Sequence, residues 1–266
     1  MIELQNLSKS FEDHKVLDRV NLTIQTGETM VIIGRSGCGK SVLLKHIVGL
    51  LRPDEGRVLI NGVDMARLSS RMLDRVRMKC GMLFQGAALF DSMSVEENVS
   101  FALREHTTMS LEAIRQRVQE CLQVVGLPGI EPLMPADLSG GMRKRVGLAR
   151  ALSMHPDVML YDEPTTGIDP IVGDLVNALI VTLRDRLKVT SVVVTHDMRS
   201  AEKVADRIAM LYNRSIIELG RPEAIRRSAN PVVQQFIKGE AVGPIQEGPP
   251  DPSVLSRWLE ASEGAR

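Results

Sequence analysis

The sequence predicts an α/β fold in which apolar strands alternate with helices. An apolar run at residues 30–33 precedes a glycine-rich loop and a second apolar segment at 42–44, which is typical of a strand, a tight loop and a helix. Two further apolar runs, at 158–161 and 191–195, are followed by acidic residues and by a histidine. Between 94 and 151 a helical period of apolar residues dominates. We therefore expect a core of strands and helices with an inserted helical block.

The glycine-rich loop at residues 34–41 has the spacing G-x-x-x-x-G-K-S. Glycines at its two ends let the backbone turn tightly, so that successive N–H groups point into one concavity that holds phosphate oxygens. The following helix adds its positive N-terminal end. Lys40 then reaches the β- and γ-phosphates, and the Ser41 hydroxyl is placed to bind the bridging Mg²⁺. A turn that serves packing alone is the alternative, but the flanking strand and helix favour a nucleoside triphosphate site.

Composition limits the possible partners. Lys and Arg number 33 and Asp and Glu number 33 among 266 residues, so no net charge attracts nucleic acid or an anionic membrane. The three cysteines have no metal-ligand spacing, which indicates reduced thiols in a cytosolic protein. Cys38 is either redox-sensitive or a small residue that fits the loop. No stretch approaches the roughly 18 to 20 apolar residues that cross a bilayer, so we expect any membrane role to come through a partner.

The first part of the chain predicts a small antiparallel sheet. Apolar and polar residues alternate in short pieces over residues 1–26 and again over 56–62, where Asn61 and Gly62 favour a hairpin turn. Phe11 lies in a polar context and either stacks on adenine or is a surface residue without a ligand. Residues 67–79 predict an amphipathic helix with a basic face in solvent.

Two strand ends carry residues suited to phosphate chemistry. The strand at 158–161 delivers Asp162 and Glu163 next to the phosphate loop, which suits a Mg²⁺ site and a carboxylate that holds the attacking water. Two acids at a buried strand end are otherwise costly. His196 follows the strand at 191–195, where it either contacts the γ-phosphate or makes an ordinary hydrogen bond.

Two further positions have a structural and a functional interpretation. Gln85 ends an apolar strand, and it is either a polar terminator or an amide that reaches Mg²⁺. Ser139 precedes two glycines, and it is either a helix N-cap or part of a segment that approaches a ligand closely.

In their order, these motifs resemble the ATPase subunit of ABC transporters over residues 1–238. The resemblance implies a P-loop NTPase (RecA-like) core with a small antiparallel β subdomain and an α-helical subdomain at approximately 90–152. It assigns ATP binding to Phe11, Val16, Gly34, Arg35, Ser36, Gly37, Cys38, Gly39, Lys40, Ser41, Ser139, Gly140, Gly141 and Asp169. It assigns Mg²⁺ binding to Ser41, Gln85 and Asp162, and catalysis to Glu163, His196 and Gln85. Met142 and Gly167-Ile168 depart from the common residues but remove no phosphate or metal contact.

A narrower resemblance, over residues 81–93, 103–106, 138–146, 161–167 and 235–245, is to the MlaF branch, the ATPases of Mla or MCE-type systems. It implies that ATP hydrolysis powers phospholipid transport between membranes and maintains outer-membrane lipid asymmetry. The chain would then be peripheral on the cytoplasmic side of the inner membrane. The implied partners are a second copy in a head-to-tail ATP sandwich, a permease (MlaE-like), a small STAS-domain regulator (MlaB-like) and an MCE-domain substrate-binding protein (MlaD-like).

Residues 239–266 are expected to form a C-terminal interaction tail. The Pro-rich residues 248–252 predict a stiff linker, and a short helix with Trp258 follows. Phe236 and Trp258 are aromatic residues in an aromatic-poor chain, and such residues often anchor interfaces.

Other functions stay open at this point. The ATPase core is shared among transporters, so the cargo is alternatively another solute such as an amino acid. A non-transport ABC protein that acts on DNA or in translation usually has two cassettes or long coiled-coil arms, and this chain shows one cassette and no heptad run. A pure scaffold would not need Glu163 together with His196.

Overall fold

Over residues 1–246, the part of the chain that our computed structural model describes, ten β-strands and nine α-helices follow one another. The strands are β1 (Ile2–Phe11), β2 (His14–Ile24), β3 (Thr29–Ile33), β4 (Glu55–Ile60), β5 (Val63–Asp64), β6 (Cys80–Leu83), β7 (Val158–Asp162), β8 (Thr190–Thr195), β9 (Arg207–Tyr212) and β10 (Ser215–Gly220). The helices are α1 (Lys40–Ile47), α2 (Ser70–Arg77), α3 (Val95–His106), α4 (Leu111–Val124), α5 (Gly140–Leu152), α6 (Pro170–Leu187), α7 (Met198–Val204), α8 (Pro222–Arg226) and α9 (Pro231–Lys238).

The main sheet has the strand order β10, β9, β3, β8, β7 and β6. Neighbouring strands are parallel from β9 to β6, and β10 pairs antiparallel with β9 at the edge. All residues of β3, β7 and β8 are buried, as expected for parallel strands that are covered on both faces. The apolar runs in the sequence reflect this double burial, and the predicted α/β core is confirmed.

A second, antiparallel sheet has the order β2, β1, β4 and β5. Asn61 and Gly62 join β4 to β5 with φ values of 49° and 80°. Two consecutive residues with positive φ match the twist of a two-residue hairpin, which Asn-Gly adopts readily. The predicted small sheet and its turn are therefore confirmed.

Residues 95–152 contain α3, α4 and α5 and form the predicted inserted helical block. Each helix starts after a serine, at Ser94, Ser110 and Ser139, whose hydroxyl accepts a hydrogen bond from a backbone N–H three residues later. Ser94 and Glu97 cap each other's backbone reciprocally, the capping box that S-x-x-E predicts. Most apolar residues of the helical period, such as Val99, are buried, whereas Leu111 at the start of α4 is exposed.

The predicted helix at 67–79 is α2, and no residue of α2 is fully buried, as expected for a helix with a solvent-exposed basic face. Over residues 1–246, no helix has both the length and the apolar character needed to cross a membrane.

Backbone contacts divide the chain into one unit of Met1–Ile225 and a second unit that starts at Arg226. Within the second unit, the Gln235 side chain accepts a hydrogen bond from the Ile245 N–H at 2.6 Å and donates to the Ile245 carbonyl at 3.0 Å. These two hydrogen bonds hold residues 239–245 against α9. The linker at 248–252 and the short helix with Trp258, which the sequence predicts, lie outside the described residues.

Candidate functional site

The carboxyl ends of three parallel strands bring the predicted site residues to one edge of the main sheet. Ile33 of β3 lies beside Thr195 of β8, and Asp162 of β7 lies beside Val194 of β8. The glycine-rich loop, the two acids and His196 therefore leave the sheet at the same edge. Ligands of open α/β sheets bind outside this edge.

Two positions of the loop require glycine, because neighbouring groups leave no room for a side chain. A Cβ atom at Gly34 would overlap the carbonyl oxygen of Leu211. At Gly39, where φ is 105°, a Cβ atom would lie 2.9 Å from Cγ1 of Val16 and 3.3 Å from its carbonyl oxygen. Glycine alone accepts this positive φ together with the contact, so the loop can close tightly over the start of α1.

A cavity of about 330 Å³, which we call the loop cavity, gathers most of the predicted site residues. It is lined by Phe11, His14, Val16, Ser36, Gly37, Gly39, Lys40, Ser41, Val42, Gln85, Glu163 and His196. Gly34, Arg35 and Asp162 do not line it but accept hydrogen bonds from Lys40 or Ser41, which do. Cys38 is half-buried in the loop, and burial raises the pKa of its thiol.

Lys40 lies across the loop with only 5% of its surface exposed. Its Nζ donates hydrogen bonds to the carbonyl oxygens of Gly34 at 2.8 Å and Arg35 at 2.9 Å. The same Nζ lies 3.6 Å from Oε1 of Glu163. A lysine held in this way offers its charge to phosphate oxygens in the loop cavity while staying close to the acid.

Ser41 and Asp162 form the core of the candidate Mg²⁺ site. The Ser41 hydroxyl donates to Oδ1 of Asp162 at 2.8 Å. Asp162 is buried, and this burial raises the pKa of its carboxyl group, while the Ser41 hydrogen bond lowers it. With the Gln85 amide these residues offer a hydroxyl, a carboxylate and a carbonyl, all oxygen donors that suit Mg²⁺. The residues present therefore fit the ion, whose remaining ligands would be phosphate oxygens and water.

Glu163 is fixed from several sides. Its φ of 49° is in the left-handed region, which costs a non-glycine residue about 1–3 kcal/mol and persists only where the surroundings hold it. Its Oε2 accepts a hydrogen bond from Oγ1 of Thr166 at 3.0 Å and lies 2.9 Å from Nδ1 of His196. The carboxylate faces the loop cavity with 9% exposure. Glu163 is thus a preorganised carboxylate beside the cation of Lys40.

The β1–β2 hairpin closes another side of the loop cavity. Phe11 and His14 are its last cross-strand pair, and the Phe11 ring is 42% exposed. Lys9 Nζ lies 5.5 Å from the centroid of this ring, which is a cation–π contact. The exposed ring is available for stacking on a base, and adenine stacking by Phe11 stays a prediction.

Four predicted ATP-binding residues lie apart from the loop cavity. The Ser139 hydroxyl accepts a hydrogen bond from the Met142 N–H at 3.2 Å, and Gly140 and Gly141 begin α5. Asp169 caps α6 by accepting from two backbone N–H groups. A Cβ at Gly140 would lie 3.5 Å from the Gly167 carbonyl oxygen, which places the start of α5 beside the loop before α6. The chain does not bring Ser139, Gly140, Gly141 or Asp169 to its own phosphate loop.

Sequence reasoning missed two groups that contact Glu163. The Thr166 hydroxyl binds its carboxylate, and Nζ of Lys144 donates to its backbone carbonyl at 2.9 Å. Lys144 lies on the buried face of α5, four residues before the buried Leu148. The helical period could have indicated this, because it places position 144 on the apolar face rather than in a solvated charge run.

A second cavity, of about 620 Å³, lies between the main sheet and the helical block, and we call it the β6–α3 groove. The rings of Phe90 and Phe101 line it with centroids 5.0 Å apart and stay 43% and 38% exposed. Arg150 lies beside the Phe90 ring and donates to the carbonyl oxygens of Ala87 and Ala88. The groove is thus an exposed apolar surface that begins next to Gln85.

Known proteins are similar to this chain in sequence and fold. The family described as ABC transporter matches residues 17–166, which include the phosphate loop and both strand-end acids. A probable ribonucleotide transport ATP-binding protein, mkl of Mycobacterium leprae, is 43% identical over 92% of this chain and 70% of its own length. The intermembrane phospholipid transport system ATP-binding protein MlaF of Haemophilus influenzae is 43% identical over 92% of this chain and 93% of its own. A dimeric post-hydrolysis state of the ATP-binding cassette MJ0796 bound to ADP and Pi has a TM-score of 0.79 and 34% identity, covering 84% of this chain and 99% of that one.

Proposed function

Because the chain belongs to the ABC transporter family, we propose that it is the ATP-hydrolysing subunit of a system that moves phospholipid between membranes through a separate permease. The observation that carries the ATPase function is the loop cavity, where Lys40, Ser41 and Glu163 converge. The relative named for phospholipid transport supports the cargo, because the match extends over 93% of that relative.

The loop cavity suits in-line attack of water on the γ-phosphorus of ATP. Backbone N–H groups of residues 34–41 hold the phosphates, and Lys40 offsets their negative charge. Glu163 accepts the proton of the attacking water while His196 and Thr166 hold its carboxylate in place. The new oxygen–phosphorus bond forms as the bond to the β–γ bridging oxygen breaks, which yields ADP and inorganic phosphate. When Mg²⁺ is bound, it would neutralise charge on the β- and γ-phosphates, held by Ser41, Asp162 and Gln85.

A second copy of the chain completes each pocket in this proposal. Ser139, Gly140 and Gly141 lie outside the loop cavity of their own chain, and Asp169 caps α6 nearby. The exposed Ser139 hydroxyl and the half-buried Gly140 backbone suit the γ-phosphate of ATP held by the partner in a head-to-tail pair, while Gly141 is buried behind them. The dimeric cassette bound to ADP and Pi supports this arrangement.

The β6–α3 groove is the surface that we assign to the permease. Two exposed phenylalanine rings and one arginine are residue types that are enriched in protein interfaces. Phe84 lines the groove and the next residue, Gln85, lines the loop cavity, so movement around the nucleotide would pass to the groove along the chain. The chain would then be peripheral on the cytoplasmic side of the inner membrane. A permease (MlaE-like) would occupy the groove, and a STAS-domain regulator (MlaB-like) and an MCE-domain protein (MlaD-like) would complete the system.

We also propose that residues 1–238 form the ABC ATPase domain, with its helical subdomain at approximately 90–152, and that 239–266 form an interaction tail. The two hydrogen bonds between Gln235 and Ile245 give this tail a fixed starting point on α9.

Loss of Phe90 and Phe101 tests the permease assignment. We expect Phe90→Ala with Phe101→Ala to lower the affinity for the membrane subunit by about 10³-fold, because central aromatic anchors contribute about 2 kcal/mol or more each and every 1.4 kcal/mol is tenfold. Leu111→Ala is the matched control, since Leu111 is 68% exposed on α4 and does not line the groove. Pull-down from detergent extracts measures the effect, and unchanged recovery of the membrane subunit with the double variant would contradict the assignment.

The cargo is tested on the intact complex. We expect phospholipid to co-purify with it and ATP to drive transfer of labelled phospholipid between vesicles. The relative named for ribonucleotide transport makes ribonucleotide the second candidate. ATP-driven uptake of a labelled ribonucleotide, without phospholipid transfer, would replace the phospholipid assignment.

A further inference from the structure

Lys144 is a buried lysine that the hydrolysis scheme above does not use. Only 5% of its surface is exposed, and lysine is rarely buried to this extent without a partner. Burial lowers the pKa of its amino group, while the carboxylates of Asp162 and Glu163 raise it. Its Nζ donates to the backbone carbonyl of Glu163 at 2.9 Å.

This hydrogen bond acts on a peptide unit with an unusual conformation. Glu163 has a positive φ, and its N–H donates to the carbonyl of Val194 on β8 at 2.9 Å. Its own carbonyl accepts from Lys144 on α5. The backbone that aims the carboxylate is therefore tied to the sheet on one side and to the helical block on the other.

Residues 139–141 lie at the start of the same helix, α5, where Ser139 is the N-cap. Lys144 follows Ser139 by five residues, about 7.5 Å along a helix axis. A helix of this length moves as a rigid unit, so a shift at its N-terminus displaces Lys144 with it.

We propose that Lys144 is a positioning residue for ATP hydrolysis. Through its hydrogen bond to the Glu163 backbone, it makes the position of the Glu163 carboxylate depend on the position of α5. This inference depends on the proposed roles of Glu163 and of residues 139–141. When the partner's ATP docks at the start of α5, the hydrogen bond from Lys144 transmits that placement to the acid of the chain's own pocket. ATP binding in one pocket then affects the position of the catalytic acid in the other pocket through α5.

Lys144→Met tests the inference, because methionine keeps the length and packing of the side chain and removes the donor. In the full chain we expect kcat to fall about 10-fold or more, with the KM for ATP and the affinity for ATP within about twofold of the unmodified values. Lys144→Arg retains a donor and should recover part of the lost kcat. Lys79→Met is the matched control, since Lys79 is exposed and lines neither cavity.

A purely structural role makes different predictions. A kcat of Lys144→Met within twofold of the unmodified chain would overturn the inference, as would equal losses in kcat and ATP affinity. So would Lys144→Arg behaving like Lys144→Met. If Lys144→Met does not fold, Lys144→Gln, whose amide is too short to reach the carbonyl, replaces it. Failure of both to fold would assign Lys144 to stability alone and overturn the inference.

Glu163→Gln separates this inference from the function on which it depends. Normal turnover by Glu163→Gln would remove the acid from its role, whatever Lys144→Met does. Loss of turnover in Glu163→Gln with normal kcat in Lys144→Met would leave the function intact and refute the positioning role alone.

Discussion

Glu163→Gln is expected to lower ATP turnover by about 10³-fold while ATP binding persists, because a general base contributes roughly 10²–10⁴-fold. Glutamine has the shape of glutamate and can keep contacts with Thr166 and His196, but its amide cannot accept the proton of the attacking water. Since ATP stays uncleaved, the pair of chains should remain closed. Phosphate release measures turnover, and light scattering after gel filtration with Mg²⁺ and ATP measures the dimer.

Glu112→Gln is the matched control for this substitution, because Glu112 is exposed in the first turn of α4 and does not line the loop cavity. It should turn over ATP like the unmodified chain. Turnover by Glu163→Gln within about threefold of the unmodified chain would remove Glu163 from the general-base role.

Lys40→Ala is expected to weaken ATP binding by about 10- to 150-fold, since a hydrogen bond to a charged group contributes about 1.5–3 kcal/mol. The substitution removes a buried cation that faces the loop cavity and that also holds the carbonyl oxygens of Gly34 and Arg35. The loss of affinity should be large for ATP and small for AMP, because Lys40 is expected to contact the β- and γ-phosphates, which AMP lacks. Calorimetric titration with each nucleotide measures both affinities.

Lys79→Ala serves as control for the loss of one positive charge, since Lys79 is exposed and outside the loop cavity. An unchanged ATP affinity for Lys40→Ala would contradict the assignment of residues 34–41 to phosphate. An equal loss for AMP would place Lys40 away from the β- and γ-phosphates.

Features fixed by local sequence could be predicted, and those fixed by distant contacts could not. The loop at 34–41 is predicted by its glycine spacing. The turn at Asn61 and Gly62 is predicted because Asn-Gly readily adopts the two positive φ angles that a two-residue hairpin needs, and both are observed. The strand order β10, β9, β3, β8, β7, β6 joins segments that are far apart in the chain, and no local pattern specifies it. The β6–α3 groove likewise depends on Phe90 and Phe101 meeting through packing.

The same distinction applies to the site. Asp162, Glu163 and His196 were predictable because the ends of parallel strands meet at one sheet edge. Lys144 was not predicted, because a lysine between two arginines suggests a solvated run; the helical period could have placed it on the buried face of α5, but its contact with Glu163 joins two elements and has no local signal. The separation of Ser139 from the phosphate loop was expected from the family resemblance alone.

Gly140→Asp is expected to block the contact of residues 139–141 with the partner's ATP without disturbing the fold of the chain. A Cβ at Gly140 would lie 3.5 Å from the nearest atom, an ordinary contact, so the substitution fits within the chain. At Gly141 a Cβ would lie 2.6 Å from Cγ1 of Val172 and would disturb the packing of α6. The aspartate at position 140 would bring a negative charge against the partner's γ-phosphate, so Gly140→Asp alone should lose most turnover.

The most direct test of the shared pocket mixes Gly140→Asp chains with Lys40→Ala chains before ATP is added. About half of the pairs formed would be mixed, and each mixed pair has one complete pocket, with Lys40 from the first chain and Gly140 from the second. We expect phosphate release by the mixture to rise above that of either variant alone but to stay below roughly a quarter of the unmodified rate, because the complete pocket belongs to the chain whose α5 carries Gly140→Asp and receives no ATP from its partner. Release equal to the mean of the two separate variants, or full release by Gly140→Asp alone, would contradict a pocket built from two chains.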